Sequence, residues 1–209
     1  MNALDVLLHK AMQQAVQKEI DRDRLQHIEK KLQNYGIGVS DLINRFDEIR
    51  GPLSGFEEEL KRIEDKVFRE FLVVENTDNE TWLTIKNRHL AESILKTFAD
   101  GDKKRILNFM STKAETIPKT LALCKIPNTS GYRKVRQLID DGFVTPSGLV
   151  ETFDGRRTML YGAIIQGIQI IIEKSEIFTK IAVPKEILSS SVLVRTISEV
   201  SQGKRNMSN

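Results

Sequence analysis

Ile126-Pro127-Asn128-Thr129-Ser130-Gly131-Tyr132-Arg133-Lys134-Val135-Arg136-Gln137-Leu138-Ile139-Asp140-Asp141-Gly142-Phe143-Val144 is the stretch that decides how this chain is read. Ile126-Pro127 marks a turn, and Asn128 or Thr129 is expected to cap the helix that follows. Gly142 supplies its left-handed stop. At helical spacing Val135, Leu138 and Ile139 face a core, whereas Arg133, Lys134, Arg136 and Gln137 largely face away from it. Just upstream, Thr116 is expected to cap a short helix over residues 117–124, with Pro118 tolerated in its first turn. Downstream, strands over residues 143–152 and 158–164 flank Asp154-Gly155-Arg156-Arg157, whose Asp-Gly pair is a strong hairpin signal.

Working outward, the N-terminal side reads as helical. Leu4, Leu7, Leu8, Ala11, Met12 and Ala15 share one face of a helix over residues 2–17. Asp21 or Asp23 is expected to cap a second helix carrying Leu25, Ile28 and Leu32, stopped at Asn34-Tyr35-Gly36. Ser40 is expected to cap a third, through Leu42, Ile43, Phe46 and Ile49. After Gly51-Pro52, Ser54 and Glu57 fit a capping box. The fourth helix then carries Phe56, Leu60, Ile63, Val67, Phe68 and Phe71, a stripe that needs a partner within this half or on another subunit. Glu75-Asn76-Thr77-Asp78-Asn79-Glu80 reads as a linker.

Trp82-Leu83-Thr84-Ile85 looks extended. A helix over residues 88–99 presents Leu90, Ile94, Leu95 and Phe98, and Asp100-Gly101-Asp102 separates it from one over residues 102–111 with Ile106, Leu107 and Met110. Beyond the first hairpin, residues 168–172 and 177–183 suggest a second, turned around Lys174-Ser175. Pro184 opens a final helix with Ile187, Leu188, Val194 and Ile197, and residues 203–209 read as a disordered tail.

The 209 residues are 40% hydrophobic and 29% charged, an ordinary globular balance. No apolar run is long enough to span a membrane. The first residues show no secretory pattern, and the single cysteine, Cys124, fits a reducing compartment, so a cytoplasmic protein is expected. The net charge of +3 hides an asymmetry: residues 1–80 hold 12 Lys/Arg against 17 Asp/Glu, and residues 81–209 hold 20 against 12. The basic part is the one suited to a polyanion. No phosphate loop, nucleophile elbow, His-Glu-x-x-His helix or carboxylate cluster is present, so an enzyme, a cofactor and a metal centre are not expected. Asp5/His9 and Asp23/His27 stand at i,i+4, the spacing of ordinary surface pairs.

Helix, short helix, turn, basic helix and basic-tipped hairpin follow one another in the order of a winged helix-turn-helix. Leu90-Ala91-Glu92-Ser93-Ile94-Leu95-Lys96-Thr97-Phe98-Ala99-Asp100, leading into Arg105-Ile106-Leu107, resembles the opening of ArsR-like winged-helix repressors. The segment from Ile126 to Val135 resembles the turn and recognition helix of archaeal regulators of this kind. The resemblance covers roughly residues 82–173 and implies DNA binding. Metal-sensing relatives carry paired cysteines before the turn; Leu121-Ala122-Leu123-Cys124 offers one thiol, which argues against that chemistry.

The fold expected is therefore α+β and mainly helical. A helical unit over residues 1–75 serves dimerisation or partner binding. A winged helix-turn-helix covers residues 82–165, and a hairpin-and-helix extension residues 166–200. Thr129 and Ser130 are expected to donate to phosphate. Arg133 is expected to read guanine, and Tyr132 to touch a thymine methyl or a phosphate. Lys134 and Arg136 are expected to hold the backbone, and Arg156 and Arg157 to reach phosphate or the minor groove. Gly131 is expected for close packing or close approach to DNA. The functional expectation is a sequence-specific transcription regulator that binds double-stranded DNA as a homodimer, through the N-terminal helices and residues 88–99. The alternatives are a protein-interaction module, with a partner on residues 1–75, and a non-specific architectural DNA binder.

Overall fold

In the computed structural model the described residues are 2–38, 43, 46–49, 51–76, 81–151, 155–174 and 176–203. Ser40, Leu42, Thr77 to Glu80, Asp154, Ser175 and the tail beyond Gly203 lie outside them. The protein is α+β and mostly helical, with a small antiparallel sheet, and among the described residues no helix is long and apolar enough to cross a membrane.

The N-terminal helices follow the apolar spacing. α1 (Ala3–Glu19) buries Leu4, Leu7, Leu8, Ala11 and Met12, and α2 (Arg22–Gln33) buries Leu25, Ile28 and Leu32. Gly36 ends α2 at φ +68°; α3 is described over Phe46–Ile49, and Ile43 before it is also helical. α4 (Glu57–Arg62) is not capped by Ser54: Phe56 holds the cap position, and the Glu57 carboxylate accepts from Gly55 N at 2.8 Å. It runs on as a π-helical stretch, Ile63–Phe68, then Arg69–Phe71. The wider π turn explains the irregular stripe, because it lets the consecutive Val67 and Phe68 both point inward. Phe68 packs against Phe46 with the rings tilted 52° and their centroids 4.6 Å apart.

α5 (Arg88–Ala99) and α6 (Gly101–Thr112) are each capped by a side chain: Asn87 accepts from Leu90 N, and Asp100 from the amides of Asp102 and Lys103. The chain continues through α7 (Ile117–Leu123), α8 (Asn128–Asp140) and the strands β3 (Val144–Glu151) and β4 (Arg157–Ala163). Glu115, ahead of α7, bridges to Tyr161 of β4.

The expected unit boundaries do not follow the sheet. β1 (Leu72–Asn76), β2 (Thr81–Ile85), β5 (Gly167–Glu173) and β6 (Glu176–Val183) form one antiparallel sheet in the order β1-β2-β6-β5. β2 was expected to open the 82–165 unit. It lies hydrogen-bonded between β1 and β6, two segments outside that unit. Trp82 lies over Gly167, where a Cβ would meet its ring at 3.1 Å.

The final helix is two: α9 (Lys185–Ser189) and α10 (Val192–Gly203). The break comes from a long-range contact. Asp5, buried on α1, accepts from Ser191 Oγ at 2.5 Å and from the amides of Val192 and Leu193 at 3.2 Å each. Ser191 Oγ in turn accepts from Val194 N at 3.1 Å. A carboxylate from the other end of the chain thus sits at the positive end of α10. Leu193, Val194, Ile197 and Val200 are buried. The apolar stripe of residues 56–71 finds its partners inside the chain, against α1 and α10.

Candidate nucleic-acid interface

The turn before α8 is shaped by Lys125, at φ +55°, and by buried Ile126, whose amide bonds back to Leu121 O at 2.9 Å. α8 starts one residue earlier than its expected caps allow. Asn128 and Thr129 lie inside it, Pro127 occupies the cap position, and no side chain caps the first turn. The Pro127 carbonyl accepts from Gly131 N at 2.8 Å and from Ser130 Oγ at 3.3 Å.

One face of α8 is fixed by packing. Gly131, Val135 and Leu138 are buried, and Ile139 is half-buried. A Cβ on Gly131 would stand 2.5 Å from Leu121 Cδ2, so the close approach of α8 to α7 favours glycine there, and a larger residue would have to displace the Leu121 side chain. Gly142, at φ +77°, ends the helix as expected. A Cβ there would meet Ala3 O and Leu7 N at 2.6 Å, because the first turns of α1 press on this corner.

The opposite face carries Thr129, Arg133, Arg136 and Gln137, all exposed. Arg133 and Arg136 make no hydrogen bond or ion pair with any described residue. Tyr132 stands on one shoulder, 46% exposed, above a recess of about 500 Å³ lined by Ile117, Arg133, Arg136 and Ile139.

Lys134, on the other shoulder, departs from expectation. Its ammonium is 2.8 and 2.9 Å from the two carboxylate oxygens of Asp100 and 2.9 Å from Asp102 Oδ2. The ammonium holds both carboxyls below the usual aspartate range, with the Arg105 guanidinium adding to the effect on Asp102, 2.5 Å away. The carboxylates raise the lysine in return. Lys134 is therefore engaged in tying α8 to the start of α6 and is not a free backbone-holding cation. By sequence alone Asp100-Gly101-Asp102 reads only as a separator. Its acidity beside a basic helix was the available signal, but the pairing joins residues thirty-four apart.

β3 and β4 project as a hairpin, with Glu151 opposite Arg157 and a bulge between Pro146 and Gly148. Arg156 and Arg157 are exposed at its far end, beside Gly155 at φ +75°. Leu149 and Met159 face each other across the ladder and are also exposed.

No group of three His, Cys, Asp or Glu able to hold a metal occurs among the described residues. Asp5 is committed to α10, and His27 Nδ1 lies 2.7 Å from the Asp23 carbonyl, not its carboxylate. Burial raises the Cys124 thiol, which donates to Arg105 O at 3.6 Å. Neither a family model, a curated protein nor a solved structure matches this chain.

Proposed function

We propose that this chain is a DNA-binding transcription regulator of the winged helix-turn-helix type, in which α6, α7 and α8 form the helical core, α8 reads the major groove and β3–β4 is the wing. The observation that carries this reading is the outward face of α8, where Arg133 and Arg136 stand exposed without an ion-pair partner among the described residues. The uncapped first turn adds amides and Thr129, which suit a phosphate. A helix about 10–12 Å across fits a groove about 12 Å wide. Arg156 and Arg157 extend the cationic track to the hairpin end. Lys134 is left out of the contact set and acts as a positioning residue.

The test is titration of labelled duplex DNA at several salt concentrations. Wild type is expected to bind with a log–log salt slope of about −0.9 per phosphate contacted. Arg133→Ala is expected to lose about 1–3 kcal/mol of discrimination at one base pair, with unfolding stability changed by less than about 0.5 kcal/mol. Retained selectivity in this variant overturns base reading by Arg133.

A protein-interaction module is the second reading, favoured by the exposed Leu149–Met159 pair on the hairpin. It requires no duplex affinity at low salt, which the same titration measures.

A further inference from the structure

The geometry points to β5 as a self-pairing edge: two copies of the chain join by antiparallel pairing of β5 with β5 about a two-fold axis at Ile170. β5 ends the sheet, and among the described residues β6 is its one strand partner. Its register with β6 runs without a bulge, and Gly167 to Ile172 contains no charge and no proline. Exposed edges are ordinarily guarded by such features. The charge of β5 is confined to its last residue, Glu173, whereas β1 carries Glu75 within the strand, held by Lys180 at 2.8 Å.

The side chains on this edge are self-complementary. Ile168, Ile170 and Ile172 lie on one face of the strand, in register with Ile181, Thr179 and Ile177. Ile172 is 68% exposed, the largest exposure among the bulky apolar residues described. At the other end of the strand a groove of about 340 Å³ runs beside Ile168, lined by Phe98, Leu107 and Ile165. Knob and groove are two residues either side of Ile170. Antiparallel pairing centred there sets Ile172 of the second copy beside Ile168 and its groove, and the two-fold repeats this at the other end. Like charges are not opposed: Glu173 of the second copy falls opposite Gly167, which lines the same groove as Lys104.

Of the N-terminal helices and α5, it is α5 that reaches this surface, through Phe98 in the groove wall. Leu4, Leu7, Leu8, Leu90 and Ile94 are at most 5% exposed within one chain. These apolar positions are therefore used in the monomer's own core, whereas the β5 edge is left exposed. The inference does not depend on what the protein binds.

Sedimentation equilibrium and cysteine cross-linking test it together, on the full chain. Wild type is expected to show a concentration-dependent monomer–dimer equilibrium. Ile172→Glu is expected to weaken dimerisation at least tenfold while its circular dichroism and unfolding midpoint stay near wild type, because the side chain is exposed. In a Cys124→Ser background, Ile170→Cys is expected to form a disulfide-linked dimer. Facing Cα atoms lie about 4.5–5.5 Å apart, within disulfide range. Ile172→Cys is not expected to link, because the two thiols stand four residues out of register, about 13 Å apart. A monomeric wild type overturns the inference and leaves the edge for a strand from another protein. A wild-type dimer that Ile172→Glu does not weaken, or equal cross-linking at both positions, also overturns it.

Discussion

The starts of α8 and α10 present the same problem, a first turn of unpaired backbone amides, and resolve it in opposite ways. At α10, Ser191 accepts from Val194 N while the Asp5 carboxylate accepts from Val192 and Leu193, so the helix end is closed by a charge brought from α1. At α8 the cap position is Pro127, no side chain closes the turn, and the cations beside it face outward. The first arrangement has the character of a fold-stabilising contact: buried, multidentate and internal. The second leaves hydrogen-bonding capacity at the surface, where an anionic ligand can use it. Charge committed to holding the fold and charge left available are thus separable residue by residue, even on one helix, as Lys134 and Arg133 illustrate.

Removing the closure at α10 should have the largest effect. Asp5→Ala strips acceptors from two amides and a hydroxyl in a buried setting. It is expected to cost about 2–4 kcal/mol, read as a lower midpoint in urea unfolding. DNA affinity per folded molecule should be unchanged. A near-neutral result would remove the basis for the contrast.

A smaller loss of stability is expected from Lys134→Met, and it carries a pH signature. Asp100 and Asp102 have lowered values in the folded state, so the unfolded state binds more protons in acid. Their stabilisation is complete above about pH 4, where an unfolded aspartate ionises. It is lost as pH falls through the lowered folded values. The gap between wild type and Lys134→Met should therefore be present at neutral pH and shrink in acid. Duplex binding by this variant should keep the wild-type salt slope, whereas loss of a phosphate contact would flatten it.

The smallest stability change is expected from closing the open end. Pro127→Asp supplies a cap to α8, worth about 1 kcal/mol, and relaxes the turn by a similar amount through loss of proline. Unfolding should hardly move. Duplex affinity should nonetheless fall, because the carboxylate occupies amides and repels phosphate. Unchanged affinity would mean that the first turn of α8 takes no part in binding.

Much of this architecture is legible in local pattern. The apolar spacing of α1, α2, α5 and α6 gives both their existence and their buried faces, since a helix's inward side is written at steps of three and four. Both hairpins, the left-handed stop at Gly142 and the outward placement of Arg133 and Arg136 follow from similarly short-range signals. The capping residues of α4 and α8 were less legible, because a cap is set by where the preceding turn delivers the chain. Ser54 and Asn128 have suitable side chains in unsuitable places.

What the sequence determined by itself was which faces are apolar and where cations accumulate, because those depend only on period and composition. The tertiary structure alone decided that β1 and β2 share one sheet with β5 and β6, that Lys134 is held while Arg133 is not, and that Asp5 closes α10. The physical reason is distance along the chain. Asp5 and Ser191 are 186 residues apart, and Asp100 and Lys134 are 34 apart. Whether such groups meet depends on how helices cross and strands order, which no local window records.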